Sequence, residues 1–469
     1  MPRTSPLARF YNQQIDWHGC EGGFQCTTFR VPLDYRHPSG STITIAAIRL
    51  PSSGHHDGSL FINPGGPGGS AIEYARHARG EIPSSVRKHY DVVGYDPRGV
   101  GASAPIRCVS GSFIYAYNAV DPLASASGRS ATITASRQFG AGCEKEAGRL
   151  LAHVSTIDAA RDMDVLRALV GDPKLTYMGK SYGTFLGALY ANLFPHRVRA
   201  LILDGAIDPA LSVEDSFRVQ ARGFEVALTA FLQYCAAQHC SLGSTYSDVL
   251  AEFNRLFEST AAHPLPAGDY SGADGRTVDR TIFQYGVASA LYARSLWPDL
   301  VQALSDAQQG HGGRVLEFMD QELERQSNGH YSNLVESNLA INCVDRPSPR
   351  ALSAYEHDAS VWGQESPHFG AYEAWALLPC AYWPVPAVIK NMPLHAHGAP
   401  PILVIGTSRD PATPYVDAVN LAKELDSGVL LSYDGDGHTV YGFGKSSCVD
   451  RIGNDYLLDL KVPRPGTRC

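Results

Sequence analysis

Residues 175–195 read LTYMGKSYGTFLGALYANLFP and hold the pattern that decides the fold. Leu175–Met178 predicts a short buried strand, and Thr184–Leu193 predicts a helix that ends before Pro195. Between them, residues 179–183 have the form G-x-S-x-G. When this pattern joins a strand to a helix, it makes a strained turn that lifts the serine hydroxyl clear of the sheet. Because the chain has 45 glycines, a glycine-rich turn around an ordinary serine is the alternative.

Strands alternate with helices around this stretch, which predicts an α/β fold with a mostly parallel sheet and helices on both faces. The first two strands are separated by turn residues and are expected to pair antiparallel. Thr156 is expected to cap the helix that precedes residue 175. In chain order the expected strands are Thr28–Leu33, Thr42–Leu50, Ser59–Asn63, Tyr90–Tyr95, Leu175–Met178, Arg199–Leu203, Pro401–Gly406 and Val429–Tyr433.

The alternation stops between residues 206 and 397, where the pattern is helical and irregular. We therefore expect one sheet domain with a large helical insertion between two of its strands. Residues 1–205 are the predicted first part of the core, residues 206–397 the helical cap, and residues 398–469 the second part of the core.

A serine hydroxyl is a weak nucleophile, so Ser181 needs a base and an acid that orients the base. After a nucleophile turn of this kind, the acid and then the histidine follow later strands of the sheet. Asp410 and His438 come directly after the last two expected strands, where the carboxyl ends of parallel strands meet. We therefore predict Ser181, His438 and Asp410 as nucleophile, base and acid. Asp434 and Asp436 are rivals for the acid, although both precede the histidine on its own loop.

A glycine-rich stretch, PGGPGG at residues 64–69, follows the third expected strand. A flexible surface loop and a phosphate cradle are alternatives, but a phosphate loop needs a lysine after the glycines, and residues 69–71 contain none. In nucleophile-elbow enzymes the loop at this place supplies one oxyanion N–H, and the residue after the nucleophile supplies the other. Gly66 is the predicted first donor, with Gly65 close behind, and Tyr182 is the predicted second donor.

The composition predicts a soluble globular protein, because 44% of the 469 residues are hydrophobic and 18% are charged. The net charge of −8 argues against a nucleic-acid partner, which requires a basic face. No apolar run approaches the roughly 18–20 residues of a bilayer-spanning helix, so no membrane partner is expected. We expect a peptide or a small-molecule amide or ester as the substrate, and neither a cofactor nor a metal.

Ten cysteines are present, which would be unusual in a cytosolic enzyme and favours disulfides in a secreted or extracytoplasmic protein. Zinc is the alternative, but no C-x-x-C pair is present. Residues 1–17 lack the pattern of a signal peptide, so either the protein stays in the cytoplasm or a leader has been removed. The pairs expected to bridge locally or to tie down the tail are Cys20–Cys26, Cys235–Cys240 and Cys448–Cys469.

Further motifs accompany these residues along most of the chain. They are NPGGPGGS at 63–70, DPRGVG at 96–101, GKSYG at 179–183, GTSRDPATP at 406–414, VPLDY at 31–35 and INCVD at 341–345. Together they resemble the secreted tripeptidyl aminopeptidase family of actinomycetes, which are relatives of proline iminopeptidase within the α/β hydrolases. Arg98, in the second motif, is expected to hold its turn through hydrogen bonds rather than to contact substrate.

The resemblance implies an α/β-hydrolase fold and a serine exopeptidase that releases short peptides or aminoacyl groups from a free amino terminus beneath a helical cap. It also implies disulfides, with Cys343–Cys380 inside the cap. Recognition of a free α-amine needs a nearby carboxylate, and Glu336 and Asp345 are the candidates. An esterase or amidase acting on a small natural product is the alternative, because fold and triad do not determine the substrate. A binding protein that has lost catalysis is a third possibility, although no triad position is replaced.

Overall fold

A nine-stranded sheet forms the centre of the protein, in a computed structural model that describes residues 6–390 and 393–469. Two further strands form a separate antiparallel pair. In chain order the strands are β1 (His18–Gly19), β2 (Gln25–Pro32), β3 (Thr42–Leu50), β4 (Gly58–Asn63), β5 (Tyr90–Tyr95), β6 (Leu175–Lys180), β7 (Val198–Asp204), β8 (Leu265–Pro266), β9 (Thr277–Val278), β10 (Ile402–Arg409) and β11 (Gly428–Asp436).

The strand order across the central sheet is β1-β2-β3-β5-β4-β6-β7-β10-β11. The pairs from β1 to β5 are antiparallel, and every pair from β5 to β11 is parallel. The predicted antiparallel opening pair and the mostly parallel sheet are therefore confirmed. Because parallel strands end at the same edge, β4, β6, β10 and β11 bring the loops that follow them together.

Nineteen α-helices are formed within the described residues. In chain order they are α1 (Ala8–Tyr11), α2 (Ala71–Arg76), α3 (Ala78–Glu81), α4 (Ser84–Arg87), α5 (Gly111–Asn118), α6 (Ala126–Ala147), α7 (Thr156–Leu169), α8 (Tyr182–Leu193), α9 (Val213–Ala237), α10 (Tyr246–Ala262), α11 (Arg280–Leu291), α12 (Trp297–Gln308), α13 (Gly313–Glu322), α14 (Leu334–Asp345), α15 (Leu352–Glu365), α16 (Gly370–Ala376), α17 (Leu378–Ala381), α18 (Tyr415–Glu424) and α19 (Ser447–Asp459).

Two helix starts differ from the sequence predictions. The N-cap of α7 is Ser155, whose hydroxyl accepts a hydrogen bond from the N–H of Asp158, and Thr156 is the first helical residue. Either residue type suits an N-cap, so the pattern alone did not separate the two neighbours. Helix α8 begins at Tyr182, two residues before the predicted Thr184, because the turn at the serine leads directly into the helix.

Both faces of the central sheet are covered by helices, as the alternation predicted. On one face, Phe61 of β4 belongs to a hydrophobic cluster with Met163 of α7 and Leu186 of α8. On the other face, Leu60 of the same strand belongs to a cluster with Leu457 of α19. Successive residues of a strand point to opposite faces, so each parallel strand contributes side chains to both clusters.

Between β7 and β10, the described chain is helical apart from the short β8–β9 pair. These helices have a hydrophobic core of their own, which includes Phe231, Phe283, Trp297 and Leu300. Helix α14 packs on the sheet as well, because its residues Leu339–Ile341 belong to the hydrophobic cluster on one face of the sheet. This helix therefore joins the helical insertion to the core beneath it.

All ten cysteines form disulfides, which confirms the local and tail pairings and the Cys343–Cys380 bridge that the resemblance implied. The fifth bridge joins Cys108 and Cys143. Cross-links of this kind limit the freedom of the unfolded chain and so favour the folded state. No helix within the described residues has the length and apolar character needed to cross a bilayer.

Arg98 is completely buried and holds the turn after β5. Its guanidinium contacts both carboxylate oxygens of Asp162 on α7 at 2.7 Å. It also donates to the backbone carbonyls of Pro32, Leu33 and His153. The predicted structural role of Arg98 is therefore confirmed, and the residue connects three separate segments of the core.

We expect Arg98→Met to lower the free energy of unfolding by about 3–5 kcal/mol, because the buried carboxylate of Asp162 loses its cation. Urea unfolding followed by circular dichroism measures the change. The matched control is Arg30→Met, since Arg30 is exposed; it should change stability by no more than about 0.5 kcal/mol. Equal stability of the two variants would contradict the role given to Arg98.

Candidate active site

Ser181 lies where β6 ends and α8 begins, with a backbone φ of 55° and ψ of −127°. Residues other than glycine rarely adopt this conformation, and it costs about 1–3 kcal/mol that the surroundings must offset. The N–H of Ser181 donates to the carbonyl of Asp204 at 3.0 Å. Strand and helix approach closely here, since a Cβ at Gly179 would lie 2.2 Å from the carbonyl oxygen of Gly183. The strained turn expected from G-x-S-x-G is present.

His438 follows β11 and faces Asp410, which follows β10. Its Nδ1 lies 2.9 and 3.0 Å from the two carboxylate oxygens of Asp410. Its backbone N–H donates to the carbonyl of Tyr292 at 2.7 Å, and the Tyr292 ring packs edge-on against the imidazole. Its Nε2 is buried and has no hydrogen-bond partner within the described part of the chain. Since Nδ1 is bound to Asp410, Nε2 is the nitrogen available to a reacting group.

The carboxylate of Asp410 is held by its own loop and is 2% exposed. It accepts backbone N–H groups from Ala412 at 3.0 Å and from Thr413 at 2.9 Å. The hydroxyl of Thr413 donates to Asp410 at 3.2 Å and lies 3.3 Å from Nδ1 of His438. Thr413 is not among the residues predicted from the sequence, although it stands three residues after the acid in the GTSRDPATP motif.

The two rival acids bind an arginine instead of the histidine. Asp434 accepts from Nη1 of Arg409 at 2.9 Å, and Asp436 accepts from Nε at 2.5 Å. Their side chains thus neutralise Arg409 at the surface, while Asp410 lies under the imidazole. The structure therefore favours Asp410 over both rivals.

Ser181 and His438 line the same cavity, which has a volume of about 510 Å³. The sheet edge forms its floor, and side chains of α9, α11, α13 and α14 form much of its wall. Aromatic and aliphatic residues of this wall include Phe217, Tyr285 and Leu339. Within the described residues, no group of three His, Cys, Asp or Glu side chains is arranged to hold a metal ion.

Gly66 and Tyr182 also line this cavity. The N–H of Gly65 donates to the side chain of Asn63 at 3.0 Å, so Gly65 is not available as an oxyanion donor. A Cβ at Gly65 would lie 2.7 Å from Cβ of Ser181, which explains why the loop needs glycine so close to the serine. The N–H of Tyr182 belongs to the first turn of α8, where amides have no partner inside the helix. Gly66 and Tyr182 therefore remain the two candidate donors.

Glu336 does not have the position that amine recognition requires. Its side chain is fully buried on α14. One carboxylate oxygen accepts the backbone N–H groups of Cys108 and Val109, at 2.5 and 3.1 Å. It is not among the described residues that line the cavity. The prediction for Glu336 is corrected: position on the cap helix was right, but the helix turns this carboxylate toward the core.

Asp345 reaches the cavity wall, but its carboxylate is bound. It accepts the backbone N–H of Thr156 at 2.7 Å and also the hydroxyl of that residue. The Thr156 hydroxyl in turn contacts the hydroxyl of Tyr182. Burial raises the pKa of Asp345 to about 7. Asp345 therefore ties α14 to the helix that carries the oxyanion donor, and its hydrogen bonds leave little capacity for an amine.

Two other carboxylates line the cavity, and neither was predicted from the sequence. Glu322 ends α13, and within the described residues no hydrogen bond or ion pair reaches its carboxylate. Burial raises its pKa, and the charge of nearby His438 opposes that shift. Asp417 on α18 is 5% exposed, and its Oδ1 has no partner within the described residues. Neither residue belongs to a recognisable motif, so only the packing of the helices reveals them.

The buried Asp417 makes stability depend on pH. Burial raises its pKa to about 8, with Asp208 adding to the shift and Arg346 opposing it. In the unfolded chain an aspartate titrates near pH 4. Folding therefore takes up a proton between about pH 4 and pH 8, so this contribution to stability is full at low pH and is lost as the pH rises through 8.

We expect Asp417→Asn, which cannot ionise, to melt higher than wild type by more degrees at pH 9 than at pH 5. Thermal unfolding of both proteins at the two pH values measures the difference. Asp299→Asn changes an exposed aspartate and is the matched control. A difference for Asp417→Asn that is the same at both pH values would show that the carboxyl is ionised throughout.

Comparison with known proteins places this geometry in a family. The family described as TAP-like protein matches residues 366–469. The serine protease Hip1 of Mycobacterium tuberculosis is 37% identical over 97% of this chain and 91% of its own length. Carboxylesterase B of M. tuberculosis is 36% identical over 99% of the chain and 92% of its own. Tripeptidyl aminopeptidase of Streptomyces lividans is 32% identical over 98% of the chain and 88% of its own.

These relatives match nearly the whole chain. The order of the strands, the strained turn at the serine and the carboxylate bound to the histidine are the features expected of the α/β-hydrolase fold. The resemblance found in the motifs is confirmed. The chain belongs to the tripeptidyl aminopeptidase family of α/β hydrolases and is a serine hydrolase.

Proposed function

We propose that Ser181, His438 and Asp410 are the catalytic triad of an exopeptidase that releases short peptides or aminoacyl groups from a free amino terminus. The observation that carries this proposal is the hydrogen bond that Nδ1 of His438 donates to Asp410. The Nε2 of this histidine has no partner within the described residues, and the histidine lines the same cavity as Ser181. An imidazole in this state can accept the serine proton and return it to a leaving amine.

In the first step the hydroxyl oxygen of Ser181 attacks the scissile carbonyl, and Nε2 of His438 takes the hydroxyl proton. Asp410 stabilises the resulting imidazolium and keeps the correct tautomer. The N–H groups of Gly66 and Tyr182 bind the oxyanion, and loss of one such donor typically costs about 2.7–4 kcal/mol of transition-state stabilisation. The positive end of α8 adds a favourable field at the same place.

Collapse of the tetrahedral intermediate breaks the C–N bond, and the proton on Nε2 passes to the leaving amine. The acyl group remains as an ester on Ser181. Water then attacks this ester while His438 accepts its proton, and a second collapse releases the acid and restores the serine hydroxyl. No step requires a cofactor.

Glu322 is the carboxylate that supports recognition of a free amine. It lines the cavity that contains Ser181, is partly exposed, and has no cationic partner within the described residues. A peptide α-ammonium would supply the opposite charge and charge-assisted hydrogen bonds to this carboxylate. The relatives include a tripeptidyl aminopeptidase and a serine protease, which agrees with a peptide substrate.

A secreted or extracytoplasmic location belongs to the same proposal. Five disulfides use all ten cysteines, and such bonds persist in oxidising compartments. The family resemblance to secreted peptidases supports the same location. Short peptides in that compartment are a plausible class of substrate for an enzyme with a cavity of about 510 Å³.

We expect wild type to hydrolyse p-nitroanilides of Ala, Ala-Ala or Ala-Ala-Ala, and Ser181→Ala to lose at least about 10⁴-fold in kcat. A fluorophosphonate probe should label wild type and leave Ser181→Ala unlabelled. Ser85→Ala, which changes an exposed serine, is the control. Undiminished hydrolysis by Ser181→Ala would remove the proposed nucleophile.

The role of Glu322 is tested with free and N-acetylated forms of the best reporter. Wild type should prefer the free amine, and Glu322→Gln should lower kcat/KM for the free form by about tenfold while leaving the acetylated form unchanged, since one charge-assisted hydrogen bond is lost. Glu324→Gln, at an exposed neighbour, is the matched control. If acetylation makes no difference to wild type, the exopeptidase proposal fails. The esterase or amidase alternative, which the relative named Carboxylesterase B favours, then takes its place.

A further inference from the structure

A second cavity of about 910 Å³ adjoins the first at the catalytic histidine. Pro64, Tyr292 and His438 line both cavities. Ser181, Gly66 and Tyr182 line the first cavity and are not among the described residues that line the second. The two spaces therefore meet at the imidazole, with the nucleophile and the oxyanion donors on one side only.

The proposed chemistry assigns different parts of the substrate to the two cavities. The acyl group must lie beside Ser181 and the oxyanion donors, hence in the first cavity. The leaving amine must approach Nε2 of His438, because that nitrogen returns the proton. The remainder of the leaving group then extends past the imidazole, and the second cavity is the space that adjoins it there.

The two cavities differ in the charge of their walls. In the described lining of the first, the acidic residues are Glu322, Asp345 and Asp417, whose pKa values are raised by burial, and the basic residue is Arg346. In the described lining of the second, basic residues outnumber acidic ones: Lys180, Arg294, Arg409 and Lys445 against Asp434 and Asp436. A substrate with a positive group at its acyl end and a negative group at its leaving end matches this arrangement.

The acidic residues of the second cavity are already neutralised. Arg409 binds both Asp434 and Asp436, and Arg294 lies 3.5 Å from Asp436. Lys445 donates only to backbone carbonyls, those of His438 at 3.2 Å and Thr439 at 3.0 Å. Its side-chain nitrogen is therefore held at the backbone of the histidine loop, without a carboxylate partner within the described residues.

Lys180 is the second cation without a hydrogen-bonded carboxylate. It is 3% exposed, and its Nζ has no hydrogen-bond partner within the described residues. Glu81 is 4.0 Å away, and the ring of Phe443 lies over Nζ at 3.2 Å from its centroid. Burial lowers the pKa of Lys180 to about 7, and the charges of Asp204 and Glu81 oppose that shift. The N–H donors of this amine stay unused within the described residues. Unused donors on a buried amine are costly, which points to an acceptor that completes them.

We infer that the second cavity is the leaving-group subsite and that it binds a carboxylate through Lys445 and Lys180. The preferred substrates are then short peptides whose free carboxyl terminus lies within one or two residues of the scissile bond. This inference rests on the proposed function, since it takes the acyl group to occupy the first cavity. It adds that the enzyme selects the charge of the leaving group in addition to that of the amino terminus.

The test keeps one acyl part, the best of the p-nitroanilide series, and varies the leaving group. The leaving groups are Ala with a free carboxylate, Ala amide and Glu amide, and product formation is read by mass spectrometry. We expect kcat/KM for the free acid to exceed that for Ala amide by about tenfold, as one charge-assisted hydrogen bond provides. Glu amide carries a carboxylate on its side chain but none at its terminus. Its kcat/KM should equal that of Ala amide if the subsite binds a terminal carboxylate. It should equal that of the free acid if a side-chain carboxylate can bind instead.

The lysines are tested by the ratio of kcat/KM for the free acid to that for Ala amide. Lys445→Met and Lys180→Met should bring this ratio close to one, whereas Lys88→Met, at an exposed lysine, should leave it at the wild-type value. The ratio corrects for any general loss of rate in a variant, since both substrates share one acyl part. Two separate lysine variants keep the test usable if one of them fails to fold.

The outcomes separate this inference from the proposed function. If wild type cleaves the p-nitroanilide but treats both carboxylate-bearing leaving groups like Ala amide, the carboxylate subsite is wrong and the exopeptidase proposal stands. If neither lysine variant changes the preference for a carboxylate, the assignment to Lys445 and Lys180 is overturned. If wild type cleaves neither reporter nor peptide, the proposed function itself fails.

Discussion

The hydrogen bond between Asp410 and Nδ1 of His438 is the interaction on which the site depends. It commits one ring nitrogen and leaves the other, Nε2, without a partner within the described residues, on a histidine that lines the cavity of Ser181. Backbone amides of its own loop also hold the carboxylate of Asp410, so its position does not depend on the histidine alone. The same bond defines a boundary, because the imidazole it holds separates an acyl side from a leaving-group side.

The helices between β7 and β10 help to build the site as well as cover it. The carbonyl of Tyr292, at the end of α11, accepts the N–H of His438 and so positions the histidine loop from above. Asp345 on α14 is linked through Thr156 to Tyr182, whose backbone N–H is a proposed oxyanion donor. A change in the position of these helices would therefore reach both the base and the oxyanion site. The buried polar contacts between α14 and the core therefore connect the inserted helices to the catalytic residues, whereas a simple cover would need only apolar contacts.

The distribution of charge around the imidazole gives the site a direction. Acidic side chains lie on the acyl side, and lysines without hydrogen-bonded carboxylates lie on the leaving-group side. Electrostatic complementarity of this kind favours one orientation of a dipolar substrate over the reverse. An aminopeptidase needs such a preference, since a peptide bound backwards presents the wrong bond to the serine.

The sequence by itself determined the fold class, the order of Ser181, Asp410 and His438, and four of the five disulfides. It could do so because these features are local motifs, short cysteine spacings or family patterns, and because a parallel sheet brings successive strand ends to one edge. Only the tertiary structure decided which carboxylates line the cavity: the side chain of Glu336 is buried away from it, whereas Glu322 and Asp417 line it. The direction of a side chain on an inserted helix depends on how that helix packs against distant segments, and no local pattern encodes such packing.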